Sequence, residues 1–223
     1  MRKEKMVIFD LDGTLIDTAP DLINSANFVL KHIINNPIAI KEARSIVGKG
    51  GKYLIEKTLS SRKIELSNDN INELTLNFLE HYKNNIFKDS KPFPNMAETL
   101  DMLKENNIYI SICTNKSEKL TKLLLSKMDL LNYFSNIIGG DTLTKMKPDP
   151  LPLLTLMQEK EIKKSNTIMI GDSENDIIAA KSAGIEVIGV TFGYSEINVQ
   201  KLYPNYIAKN FLDVKKIIKS NFF

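Results

Sequence analysis

The sequence predicts an α/β protein: a doubly wound parallel sheet with a helical domain inserted after its first strand. Three observations carry this. Short apolar runs of strand length recur at Met6–Phe9, 108–113, Asn136–Ile138, 167–170 and 187–190, with a weaker one at Tyr206–Ala208. Amphipathic helical segments lie between most of them, and strands alternating with helices give a mostly parallel sheet covered on both faces. From about residue 18 to 89 that rhythm stops, and only helical patterns appear.

The elements follow in order. Met6-Val7-Ile8-Phe9 is apolar throughout, as a strand buried on both faces requires. Pro20 suits the first turn of a helix carrying Leu22, Ile23, Ala26, Val29, Leu30 and Ile33 on one side. Residues 42–47, 53–59 and 68–86 also read as helical. The chain returns through Lys91-Pro92-Phe93-Pro94-Asn95, a stiff connector. Beyond it, 96–104 places Leu100 and Leu103 on one helix face, and 118–128 repeats Leu120, Leu123, Leu124 and Met128. The helix Glu174–Ala183 ends at Gly184, a residue suited to a left-handed C-cap. The expected division is an α/β core of 1–17 and 90–223 and a helical domain of 18–89.

Composition narrows the function. The chain has 223 residues, 43% of them apolar, with a net charge of +3 and one cysteine, Cys113. A sizeable core is affordable, and no internal disulfide can form. Lys3, Lys31, Lys63, Lys122 and Lys164 are scattered rather than striped with aromatics, which argues against a nucleic-acid partner. No apolar stretch approaches the roughly 20 residues of a membrane span. Asp10 and Asp12 interrupt what would be the apolar part of a signal peptide, so the expected location is cytoplasmic.

The chemistry concentrates where strands end. Asp10-Leu11-Asp12-Gly13-Thr14 follows the first strand. Two carboxylates two residues apart point the same way along the pleat, and side by side in a buried site they repel unless a cation sits with them. That suits an Asp nucleophile beside an Asp acid/base with a divalent metal. Thr114-Asn115-Lys116 follows 108–113, where a hydroxyl and helix-start N–H groups suit a phosphate; read alone, Thr114 or Ser117 is first a helix cap. Lys147, ahead of Pro148, suits charge neutralisation, although most lysines are solvated. Asp172, in Gly171-Asp172-Ser173-Glu174-Asn175-Asp176, follows another strand and suits a Mg²⁺ site shared with Asp10. Asp176, one turn on, is placed to order Asp172 or a metal-bound water, or simply to sit at a helix N-terminus.

Taken together, Asp10-Leu11-Asp12-Gly13-Thr14, Thr114-Asn115, Lys147-Pro148 and Gly171-Asp172 with Asp176 resemble the four motifs of the haloacid dehalogenase superfamily over nearly the whole chain. The resemblance implies a Rossmann-like core and a mobile helical cap over 18–89. It implies that Asp10 attacks phosphorus to form an aspartyl phosphate, and that Asp12 protonates the leaving oxygen and then activates water. It further implies that Thr114, Asn115 and Lys147 hold the phosphoryl group, and that Asp10, the Asp12 carbonyl and Asp172 bind Mg²⁺. An Asp at position 12 belongs to the phosphate-ester branches, since the dehalogenases and phosphonatases lack it. Asp17 and Thr18 fit the hinge into the cap.

Arg44-Ser45-Ile46-Val47-Gly48-Lys49-Gly50-Gly51 resembles the cap loop of the phosphoglycolate phosphatase branch; Pro92-Phe93-Pro94 and Phe192-Gly193-Tyr194 agree with it. Closely spaced N–H groups at Gly48 and Gly50, with Lys49 or Arg44, suit an anionic substrate tail; a plain connection between two helices suits the same residues. The expected substrate is a small acidic phosphate monoester, 2-phosphoglycolate by name. The alternatives on this scaffold are a β-phosphoglucomutase-like phosphomutase, an inorganic pyrophosphatase, or a non-catalytic binding protein. His32, His81 and Cys113 carry no metal-ligand or nucleophile spacing, and oligomeric state is not encoded in any pattern.

Overall fold

The computed structural model describes residues 4–40, 47–48 and 50–222. Six parallel strands form the main sheet: β1 (Met6–Phe9), β4 (Tyr109–Cys113), β5 (Asn136–Ile138), β6 (Thr167–Gly171), β7 (Glu186–Val190) and β8 (Tyr206–Ala208). Their order is β5-β4-β1-β6-β7-β8, so the winding direction reverses at β1. The sheet is therefore doubly wound, as the alternation of runs predicts, and its ligand crevice belongs beyond the carboxyl ends beside β1.

Side chains sort to the two faces with period two. Val7, Phe9, Ile112, Ile170 and Ile188 pack under α4 (Met96–Glu105), α5 (Glu118–Lys127) and α8 (Phe211–Asn221). Met6, Ile8, Met169 and Val187 pack under α6 (Leu151–Glu159) and α7 (Glu174–Ala183). Full burial of each such side chain contributes about 1.5–3 kcal/mol. Gly184 closes α7 at φ 74°, as its position predicts.

Between two short strands lies the helical segment: α1 (Ala19–Leu30), α2 (Gly51–Ser61) and α3 (Asn68–Asn85). These helices have their own apolar centre, built on Ile23, Leu30, Leu54, Ile55 and Phe78. The helix expected over 42–47 falls almost wholly outside the described residues; Val47 itself is a buried turn residue. The entering strand β2 (Ile16–Asp17) and the returning strand β3 (Lys91–Pro92) pair antiparallel, with Asp17 opposite Lys91. Asp21 secures the return. Its buried carboxylate accepts from the backbone N–H groups of Lys88, Asp89 and Ser90 at 2.8–3.0 Å and from the Ser90 hydroxyl at 2.5 Å.

Candidate active site

Register brings the motif residues level. Phe9 lies opposite Ile112 on β4 and Ile170 on β6, so Asp10, Thr114 and Asp172 leave neighbouring strands within one residue step of one another. The Asp10 N–H still bonds the Ile170 carbonyl at 2.9 Å. The chain then turns sharply at Gly13, φ 87°. A Cβ there would meet Asp172 Oδ2 at 2.6 Å and Tyr194 at 2.7 Å, so both the dihedral and the close approach require glycine.

Each acidic side chain has defined partners, and Asp10 and Asp176 share one. The Thr14 hydroxyl donates to Asp172 Oδ1 at 2.9 Å, and the Tyr194 N–H to Asp172 Oδ2 at 2.6 Å. Lys147 reaches Asp10 at 2.9 Å and Asp176 at 2.5 Å, with its own side chain only 2% exposed. The carboxylate of Asp176 also accepts from the Ser173 N–H and hydroxyl, completing a capping box at the start of α7. Its bonds thus run to Lys147 and Ser173. On the other side, Asp12 receives Lys116 at 3.0 and 3.1 Å and the Thr18 hydroxyl at 2.7 Å. Thr18, read from sequence as hinge, therefore touches an acidic site residue directly.

The electrostatics are those of a crowded, dry site. Burial pushes the Asp10 carboxyl up to about 7; Lys147 opposes this, and Asp176 and Asp12 add to it. Asp172 is raised well above the usual carboxylate range by burial and by its Asp10 and Asp176 neighbours. Burial alone would lower Lys147, but Asp10 and Asp176 outweigh it and hold the ammonium charged. Lys116 behaves likewise against Asp12. The thiol of Cys113 is driven by burial to about 12, which leaves it a small apolar group rather than a nucleophile.

Carboxylate oxygens of Asp10, Asp172 and Asp176 all lie within 4.8 Å of one another. Asp10, Asp12, Gly48 and Asp172 border a hollow of about 20 Å³, room for one small ion or one water. Hard oxygen donors, a surplus of buried negative charge and this size fit Mg²⁺. A second cavity, about 120 Å³, lies between the helical segment and the sheet and also touches Asp12.

The remaining candidates fall as follows. Thr114 is buried at the end of β4, and its hydroxyl accepts from the Lys116 N–H at 3.3 Å; Ser117, not Thr114, caps α5. Asn115 donates to the Lys147 carbonyl at 3.0 Å, and its Oδ1 is buried without a hydrogen-bond partner. Gly48 borders both cavities and Gly50 the larger. Gly50 begins α2 at φ 95°, ψ 158°, a conformation essentially reserved for glycine. Arg44 and Lys49 lie outside the described residues. Sequence reasoning gave Lys116 no role, and placed Tyr194 only in a stretch agreeing with the phosphoglycolate phosphatase branch and among tyrosines able to line the cleft. The one signal for Lys116 was its place directly after Thr114-Asn115; the Tyr194 hydroxyl accepts from the Ala19 N–H at 2.9 Å and donates to Asp17, tying the loop after β7 to the entry of α1.

A family model described as haloacid dehalogenase-like hydrolase matches residues 7–190, spanning every core motif above. The chain belongs to this family. A phosphoglycolate phosphatase of Agrobacterium fabrum is 38% identical to this hydrolase over 206 residues, covering 92% of this chain and 88% of that one. One from Nitrosospira multiformis is 34% identical over 219 residues, covering 97% and 96%. The crystal structure of a predicted phosphoglycolate phosphatase from Haemophilus somnus superposes with a TM-score of 0.90 at 32% identity, over 97% of this chain and 99% of that one. This haloacid dehalogenase-like hydrolase is accordingly a phosphoric monoester hydrolase. Among its described residues no helix is long and apolar enough to cross a membrane.

Proposed function

We propose that this hydrolase cleaves a small acidic phosphate monoester, 2-phosphoglycolate, to glycolate and phosphate through an aspartyl phosphate on Asp10. The observation that carries the mechanism is the pair of buried carboxylates at one strand end, each matched to its own lysine: Asp10 to Lys147 and Asp12 to Lys116. An Asp10 oxygen attacks phosphorus as the ester P–O bond breaks, and Asp12, which enters the step carrying a proton, gives it to the departing oxygen and leaves as the carboxylate that Lys116 stabilises. Asp12 then takes a proton from the water that attacks phosphorus and frees Asp10. Lys147, Thr114 and Asn115 hold the phosphoryl oxygens. Asp10, Asp172 and the Asp12 carbonyl hold Mg²⁺, which when bound offsets carboxylate–phosphate repulsion and polarises the phosphoryl group. Asp176 keeps Lys147 in place.

The helical segment 18–89 acts as the cap and residues 1–17 and 90–223 as the core. Gly48 and Gly50 belong to the loop that meets the substrate, with Arg44 and Lys49 as its cations. A monoester of two or three carbons is the leading reading, with a phosphomutase acting on a hexose phosphate as the alternative. Initial rates with Mg²⁺ on 2-phosphoglycolate, glucose 1-phosphate, pyrophosphate and a nucleoside monophosphate test this. The expected result is 2-phosphoglycolate at or near the top in kcat/KM. A preference of roughly a thousandfold for pyrophosphate or the nucleotide, about 4 kcal/mol, would overturn the substrate while leaving the chemistry intact.

Metal removal has an expected signature in stability. Asp10 titrates near 7 in the metal-free fold against 3.8 ordinarily, so between those values the folded protein holds a proton that the unfolded chain has lost. Metal-free stability therefore falls as pH rises through that window. Mg²⁺ needs the ionised carboxylates, so its effect grows in the same direction. After EDTA treatment, phosphatase activity should vanish. Mg²⁺ at about 100 times its Kd should restore about 2.7 kcal/mol at pH 8, with a clearly smaller rise in Tm at pH 5.5. An equal rise at both pH values would contradict the assignment.

A further inference from the structure

The 120 Å³ cavity has a largely apolar wall, including Leu54, Phe78 and Leu120, and among its described lining residues only Asp12 and Lys116 are charged. Lys116 has little cause to be there for folding. Its side chain is 5% exposed, its ammonium lies 4.6 Å from the centroid of the Tyr82 ring on α3, and its two charged contacts go to the single carboxylate of Asp12. An ammonium carries three donors, and with Asp12 as its one anionic partner it retains capacity for a second anion that enters the cavity. Asp12 already has a second donor in Thr18. Next to Lys116 lies the buried Tyr82 hydroxyl, which interacts with Lys116 itself and meets no other hydrogen-bond partner among the described residues. Asp12 borders both this cavity and the ion-sized hollow, so a substrate whose phosphorus faces Asp10 directs its other end here.

We propose that Lys116 determines specificity at the non-phosphate end of the substrate, its ammonium pairing with a carboxylate carried one or two carbons from the ester oxygen. The inference rests on reading Asp10 and Asp12 as the phosphoryl-transfer centre. Tyr82 fixes the ammonium from below by cation–π contact and offers its hydroxyl to the same anion. Selection for an acidic ester is thereby built into the loop after β4 and completed by the helical segment.

The experiment compares wild type, Lys116→Met and Lys116→Arg on 2-phosphoglycolate and on ethyl phosphate, which has the same carbon chain without the carboxylate, with kcat and KM read separately. Lys116→Met should raise KM for 2-phosphoglycolate by roughly 30-fold or more, the loss typical of removing one partner of a buried charge pair. The wild-type preference for the acidic ester should collapse by a similar factor. Any fall in kcat through Asp12 should be common to both esters, and Lys116→Arg should recover part of the preference. An equal fall in kcat/KM for both esters would mean that Lys116 only positions Asp12, and would overturn the inference with the phosphatase reading intact. A wild type active on neither ester would bring down the substrate reading and the inference with it. Should Lys116→Met not fold, Lys116→Gln on the same two esters decides: a tenfold or larger loss of the preference for the acid supports the inference, and an unchanged preference overturns it.

Discussion

Asp10→Asn is expected to abolish turnover, lowering kcat/KM by about 10⁴-fold or more, as removal of an attacking group does. The variant should still fold. Asn has the same shape, and it replaces a carboxyl that burial, with Asp176 and Asp12 adding, already pushes toward its neutral form. Circular dichroism and Tm near wild type, with phosphate release at background, is the expected pair of results. Residual activity within tenfold of wild type would move the nucleophile elsewhere. Few alternatives exist nearby: the Cys113 thiol is protonated and 1% exposed, and Thr14 is fully buried with its hydroxyl committed to Asp172.

Lys147→Ala is expected to damage both stability and chemistry. The Lys147 ammonium is the shared counter-ion of Asp10 and Asp176, all three being largely withdrawn from water. Removing it leaves two buried carboxylates unpaired, a loss of about 3–5 kcal/mol. For a chain of this size that lowers Tm by roughly 6–20 °C. Activity should fall by about 10²–10³, since a preorganised cation at the developing charge is also lost. The double variant Lys147→Ala with Asp176→Asn separates the two effects. It removes one orphaned charge and should regain part of the stability, while turnover stays low. Recovery of both together would mean that Lys147 only supports the fold.

What the sequence reveals here depends on whether an interaction leaves a local pattern. Met6–Phe9 is apolar at every position because both its faces are covered, and Asp10-Leu11-Asp12-Gly13-Thr14 compresses two carboxylates, a turn and a hydroxyl into five residues. Both were readable. Pairing of Lys116 with Asp12 was not, because the partners are 104 residues apart and no spacing rule links them. Asp21 looks like an acidic residue in a first helical turn, a placement the helix dipole favours by itself. Its actual work, holding residues 88–90, spans 67–69 positions. β2 and β3 are two residues each, too short for any periodicity. Asp176 was legible as a helix-start acid, while its bond to Lys147 required the loop after β5 to fold across the strand ends.

The mechanism proposed for this site makes one central claim: Asp10, held beside Lys147, Asp176 and Asp172, itself bonds to phosphorus. Rapid acid quench of a single turnover with 2-phosphoglycolate, followed by peptide mass spectrometry, tests it most directly. The expected result is one transient phosphoryl group on the peptide containing Asp10, labile to hydroxylamine and absent in Asp10→Asn. Full product formation with no phosphorylated peptide at any time point, or the group found on another residue, would contradict it.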